Sequence, residues 1–261
     1  MIDEDKQTDF LYKYMPFRED RLNPITDGRF YYSCPLDFND PFDCKPRLKL
    51  AKNYKESHVY SKARREIGGT PREWFAKSHL IKKAIEENID NGFFYETLKE
   101  IGVLSLSRRS KSMLMWSHYA DQYKGLVVEL HRHKDLTEFD VENPLWNLVC
   151  FDVEYSSKRP INHIGNHDAD LKMLVSTKNI DWEYESESRA ISTKLGPGLH
   201  AYNRKELLSS VIAGSHMSTE NLENLKRVVL NASNEIGREI KLKQIQLSKI
   251  NYELEVVDIN I

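Results

Sequence analysis

Alternating apolar and polar residues mark strands at both ends of the chain, and helical spacing marks the stretches between them. Residues 10–14 (Phe-Leu-Tyr-Lys-Tyr) and 29–33 (Arg-Phe-Tyr-Tyr-Ser) have strand character, the first closed by Pro16 and the second opened by an Asp-Gly turn signal. Further strands are expected at 102–108, 126–130, 148–155 and 182–189, with a buried strand at 207–214 and a closing strand within 244–257. Helical pattern fills residues 54–100. Its clearest start is Thr70-Pro71-Arg72-Glu73, a capping box with proline at the first helical position, and Trp74, Ser78, Ile81 and Ile85 then share one face while Lys77, Lys82 and Lys83 make a basic one. A short helix is expected at 113–120, stopped before Gly125, another at about 168–176, and a longer one from Ser218 with Leu222, Leu225, Val229, Ala232 and Ile236 facing the core. Between the early strands, residues 37–43 (Asp-Phe-Asn-Asp-Pro-Phe-Asp) read as a rigid loop anchored by Phe38 and Phe42, or as a loop that walls a pocket.

These elements imply an α+β protein of 261 residues, one domain with a mixed, mostly antiparallel central sheet, flanking helices and a helical insertion at about 54–100. Thirty-eight basic and 40 acidic residues leave a net charge of −2, which gives no global argument for nucleic acid or membrane. No apolar run approaches the roughly 20 residues of a spanning helix, and Met-Ile-Asp-Glu-Asp-Lys is the reverse of a basic signal region, so a cytoplasmic protein with no membrane partner is expected. Cys34, Cys44 and Cys150 are too widely spaced for a zinc site or a disulfide framework and read as reduced thiols.

The chemistry concentrates at residues 182–189, Trp-Glu-Tyr-Glu-Ser-Glu-Ser-Arg. As a strand, this segment sets Glu183, Glu185, Glu187 and Arg189 on one face. Three carboxylates so close repel one another unless a cation, a proton or a polyhydroxylated ligand takes up the field. The segment is therefore either a solvated edge strand or a site with two carboxylates in different tasks. On the helix at 113–120, three- and four-residue spacing brings Met115, His118 and Tyr119 together; His118 is either a packed histidine or part of that site.

The ordered set Leu11-Tyr12-Lys13-Tyr14, Asp37-Phe38-Asn39-Asp40-Pro41-Phe42, Leu104-Ser105-Leu106-Ser107, Met115-Trp116-Ser117-His118-Tyr119-Ala120, Lys178, Trp182 and Tyr184-Glu185-x-Glu187-x-Arg189 resembles the bacterial DUF2971 family over about residues 11–214. More weakly, the order of elements is similar to the ADP-ribosyltransferase superfamily. By that resemblance Lys13 stands where His or Arg is usual, Ser105 and Ser107 match the serine strand, and Glu185-Ser186-Glu187 matches the acidic motif. It implies an ADP-ribosyltransferase or an NAD glycohydrolase, with NAD as a substrate and, for the transferase, an unknown macromolecular acceptor, protein or nucleic acid, with a toxin or phage-defence role as one setting. The expected roles are Glu187 stabilising the cationic sugar, Glu185 orienting or deprotonating an acceptor, and Trp116 or Tyr119 stacking on nicotinamide. Ser105 would bond the carboxamide, Arg189 would hold phosphate or keep the glutamates in place, and Tyr14 and Ser107 complete the cofactor set.

Two other readings remain open at this level. A metal-dependent nuclease would use His118 as acid or base, Lys111, Lys178 and Arg189 for phosphate, and the glutamates for the ion. An interaction module would use Trp116, Trp182, Tyr184 and the 39–42 loop as framework and the helical insertion to bind a protein.

Overall fold

A computed structural model of the chain describes residues 10–56, 58–90, 96, 98–132, 142–164 and 171–260. In chain order the strands are β1 (Phe10–Met15), β2 (Arg29–Tyr32), β3 (Arg47–Leu50), β4 (Gly102–Ser107) and β5 (Leu126–His131). They continue with β6 (Cys150–Asp152), β7 (Glu154–Ser156), β8 (Ile161–Ile164), β9 (Thr177–Asn179) and β10 (Glu187–Ser192). The last are β11 (Gly198–Ala201), β12 (Leu208–Ala213), β13 (Lys241–Leu247) and β14 (Leu254–Asp258). Eight of them form one sheet in the order β14-β13-β12-β5-β1-β4-β10-β6, antiparallel at every pairing except β12 with β13. The fold is thus α+β with a mostly antiparallel central sheet.

One face of the sheet packs Leu11, Leu104, Leu106, Val128, Leu130 and Val211 against the helix Thr219–Ile236, whose Leu225, Val229 and Ala232 are buried. The other face packs Tyr12, Tyr14, Val127 and Ile212 against Met115 and Trp116 of the helix Met113–Tyr119 and Ala120 just after it. Both helices begin where their sequences provide a cap: Ser112 accepts from the Met115 N–H and Ser218 from the Asn221 N–H. Gly125 follows the shorter helix for a steric reason, since a Cβ there would meet the Met15 carbonyl at 2.3 Å.

The helical segment follows β3 as His58–Ile67, Pro71–Ala76 and Ser78–Asp90, with the Thr70–Glu73 capping box formed reciprocally. Ile81 and Ile85 are fully buried with Tyr60 in a small core of their own, against Leu48, Leu50 and Trp74. Residues 57, 91–95 and 97 of the expected insertion, and 168–170 of the expected helix before Lys178, lie outside the described residues; that helix is seen as Leu171–Val175. Among the described residues no helix is long and apolar enough to cross a membrane.

Several expectations are corrected. Residues 182–189 are not one strand: Ile180–Glu185 is a 3-10 helix, Ser186 is left-handed, and β10 begins at Glu187. Asn179 starts this helix by accepting from the Asp181 N–H, and Asp181 and Glu183 in its first turn suit the positive end of a helix. Glu183 consequently faces solvent while Glu185 and Glu187 are buried. The strand expected at 148–155 divides because Leu148 takes a positive φ and Val153 separates β6 from β7, which pairs with β9 outside the main sheet. The closing segment is a hairpin, β13 and β14, turned by the polar run 248–253. Of the two expected anchors, Phe42 is exposed with the Arg159 guanidinium over its ring and Phe38 is partly buried.

Candidate functional site

β1 pairs with β5 at six positions but with β4 at only one, Tyr12 opposite Ser107. Where β1 and β4 part, a cavity of about 360 Å³ opens between Tyr12, Lys13 and Tyr14 on one strand and Ser105, Leu106 and Ser107 on the other. Lys13 spans the gap, its Nζ donating to the Ser105 carbonyl at 3.0 Å. Glu185, Glu187 and Arg189 close a third side, Met115 and Tyr119 a fourth, and Asp37, Phe38, Asn39 and Asp43 bring the 37–43 loop over it. That loop does wall a pocket.

The bend at Ser186 is what turns two glutamates into the cavity. It is fastened to the end of β4: Ser107 Oγ donates to the Glu185 carbonyl at 2.6 Å, and the Arg108 N–H to the Ser186 carbonyl at 2.9 Å. The Glu187 N–H donates to the Tyr155 hydroxyl at 2.7 Å.

The charges form one buried network. Lys178 Nζ lies 2.5 Å from Glu185 Oε2, 3.2 Å from Glu187 Oε2 and 3.5 Å from Asp43 Oδ2. Arg189 is fully buried and donates from Nε and Nη2 to Glu187 at 2.8 and 2.9 Å, from Nη1 and Nη2 to Asp43 at 2.9 and 2.6 Å, and from Nη1 to the Val175 carbonyl at 2.7 Å. The five N–H groups of a guanidinium are thereby all engaged. Arg189 therefore keeps an acid in place and has no donor left for a phosphate. Cys44 Sγ also lies 3.4 Å from Nη1, and burial pushes this thiol up, so it sits there as a neutral group; all three cysteines are free.

The two glutamates are pushed in opposite directions. Burial raises Glu185 by more than Lys178 offsets, and the negative charge of Glu187 adds to the rise. Burial would raise Glu187 as well, but Arg189 and Lys178 outweigh it and hold Glu187 at about 2. Tyr119 Oη donates to Glu185 Oε1 at 2.5 Å, and burial followed by this bond raises the phenol. Lys13 goes the other way: burial lowers it, and Glu187 restores only part.

The structure thus gathers Lys13, Tyr14, Ser105, Ser107, Tyr119, Glu185, Glu187 and Arg189 around one cavity. It does not bring in Trp116 or His118. Trp116 is fully buried behind Tyr14, with Nε1 donating to the Ser110 carbonyl at 2.7 Å, so its ring has no face for a ligand. His118 is exposed and does not line the cavity; its Nδ1 lies 3.2 Å from the Tyr184 hydroxyl. Tyr14 and Ser107 line the cavity, but their hydroxyls donate to the carbonyls of Arg109 and Glu185. Asp43 has no individual role among the expected residues and Lys178 none in NAD binding, although acids as close as Glu185 and Glu187 require cations and Lys178 is the nearest lysine preceding these two in sequence.

A second cavity, about 620 Å³, adjoins the first and shares Lys13, Tyr14, Ser33 and Tyr119 with it. Arg21, Arg29 and Tyr31 line its far part.

A family model described as "Protein of unknown function (DUF2971)" matches residues 115–190. The match supports the DUF2971 resemblance. It contains the helix Met113–Tyr119 from its third residue, Lys178 and both glutamates, and leaves β1, the 37–43 loop and β4 outside. No curated protein and no solved structure matches the chain.

Proposed function

We propose that the chain cleaves the bond between nicotinamide and ribose in NAD, passing ADP-ribose to water or to a macromolecular acceptor. The observation that carries this reading is the pair Glu185 and Glu187, enclosed together on one cavity and shifted in opposite directions, Glu185 up by burial and Glu187 down by Arg189 and Lys178. Paired acids with separated proton affinities suit a reaction that needs one carboxyl to move a proton and another to remain charged. Two cations, Arg189 and Lys178, hold Glu187 and cancel much of its field, whereas Glu185 meets one cation, Lys178, and the Tyr119 hydroxyl, so Glu185 is the carboxyl left to exchange a proton with sugar or acceptor. Its raised proton affinity suits a base that takes the acceptor's proton. Tyr119 takes the stacking place that Trp116 does not reach. The adjoining cavity with Arg21 and Arg29 gives a two-part ligand room for its diphosphate and second nucleoside.

A metal-dependent nuclease fits less well. Lys178 and Arg189 stand between the acids where an ion would sit, and among the described residues no group of three His, Cys, Asp or Glu side chains is arranged to hold one. The test is incubation of the full chain with NAD while free nicotinamide is followed. Release is expected, falling at least about 100-fold in Glu185→Gln. No release, with or without cell lysate as a source of acceptor, overturns the reading.

A further inference from the structure

Three cationic side chains line the first cavity, and they are not alike. Lys178 contacts three acids, and Arg189 has every donor engaged. Lys13 makes one hydrogen bond, to the neutral Ser105 carbonyl, and among the described residues it forms no ion pair. It is half-buried on the wall that the two cavities share. An ammonium group so placed loses hydration, and the one carboxylate that acts on it, Glu187, is already paired with Arg189 and Lys178 and offsets only part of that loss, which favours the free amine. Burial does lower its hold on a proton, while Glu185, on the same cavity, is shifted to keep one longer.

We propose that Lys13 captures carbonyl compounds, its amine condensing with the aldehyde or ketone carbon of a sugar-like molecule bound across the two cavities to form an imine. The nitrogen lone pair makes the new C–N bond as the carbonyl π pair moves to oxygen, which takes a proton from Glu185. The nitrogen then gives up its two protons in the course of reaction, one returning to Glu185 and one leaving with the oxygen as water, and the C=N bond closes. Neither oxidant nor reductant is consumed, and water reverses the step. The open-chain aldehyde of a ribose freed from NAD belongs to this class, but capture of a carbonyl does not require NAD cleavage. A purely structural lysine, tying β1 to β4 through the Ser105 carbonyl, would not show such reactivity.

The test treats the full chain with glycolaldehyde, and separately with ADP-ribose, adds cyanoborohydride, and maps the adducts by peptide mass. Lys13 is expected to be labelled at concentrations about tenfold below those needed for surface lysines, because the free-amine fraction governs the rate. Glu185→Gln is expected to slow labelling at Lys13 alone. Lys13→Arg retains a donor for Ser105 and a positive charge but cannot form the imine; with its melting midpoint near that of the parent, it serves as the blank. Uniform labelling of lysines, or an unlabelled Lys13 in folded parent protein, overturns the proposal. Following nicotinamide in parallel with NAD separates the two ideas: release without selective labelling removes the capture alone, and selective labelling without release removes the NAD reading alone.

Discussion

Lys178 and Glu185 meet nitrogen to oxygen at 2.5 Å with each side chain only 5% exposed, and the same nitrogen reaches Glu187 and Asp43. One lysine thus joins the 3-10 helix, the start of β10 and the 37–43 loop. Such a pair is weak support for stability taken whole, because both charges have been stripped of water. It is strong support for position, since removing one partner leaves the others buried and uncompensated.

Lys178→Met is therefore expected to destabilise the chain by about 3–5 kcal/mol near neutral pH. Urea unfolding measures it. Lys178→Met combined with Glu185→Gln removes one of the stranded acids and should recover part of the loss, a coupling that two independent sites would not show.

Glu185 makes stability fall as pH rises. Its unfolded value is near 4.5 and its folded value is higher, so above 4.5 unfolding releases a proton and higher pH favours the unfolded state. The contribution is fully present below 4.5 and is lost as pH rises through the folded value. Glu185→Gln should match the parent at pH 4 and then gain on it by up to about 1.4 kcal/mol per pH unit. Glu187 has the opposite sign: held at about 2, it contributes above 4.5 and loses that contribution as pH falls toward 2. Melting midpoints of parent and Glu185→Gln between pH 4 and 8 check the first sign; parallel curves would refute it.

What the sequence discloses and what it conceals have physical reasons. The alternation in residues 10–14 and 102–108 marks β1 and β4 because one of their faces is apolar and buried, and it brings Lys13 and Ser105 to neighbouring strands. The spacing from Leu225 to Ala232 does the same for the long helix. Residues 182–189 mislead because their acid spacing fits a strand, whereas Asn179 and Ser186 settle the backbone through one cap bond and one left-handed residue. Asp43 leaves no periodic trace; its partner Arg189 is 146 residues away, and contact at that separation is decided by tertiary packing. Trp116 has the chemical type of a stacking residue, but an aromatic of that size is more often core, and here it is fully buried.

Trp116 and His118 therefore provide a contrast with the cavity residues. Trp116→Phe loses the bond to the Ser110 carbonyl and part of a fully buried ring, and should cost about 2–4 kcal/mol; if the chain binds NAD as proposed, affinity should be unchanged at temperatures where the variant is folded. His118→Ala, at an exposed position, should change stability by under about 0.5 kcal/mol and leave nicotinamide release as it was. Calorimetric titration with NAD beside thermal melts distinguishes the two. A large loss of affinity in either variant would return these rings to the site.

Tyr119 sets how readily Glu185 exchanges its proton. The phenol donates to Oε1 at 2.5 Å, a bond that favours the charged carboxylate and keeps Glu185 below the value burial alone would give it. Tyr119→Phe preserves the ring and deletes the donor, so Glu185 moves further up. If Glu185 acts as the base in nicotinamide release, the acidic limb of the pH–rate profile must follow it to higher pH, with the rate on the plateau little changed. The pH midpoint at which the protonated carboxyl C=O stretch of Glu185 is lost, followed by infrared difference spectroscopy against Glu185→Gln, should move in the same direction even in protein given no NAD. A limb that stays in place while the infrared titration moves would show that Glu185 is not the base; if neither moves, the Tyr119 bond does not set its protonation.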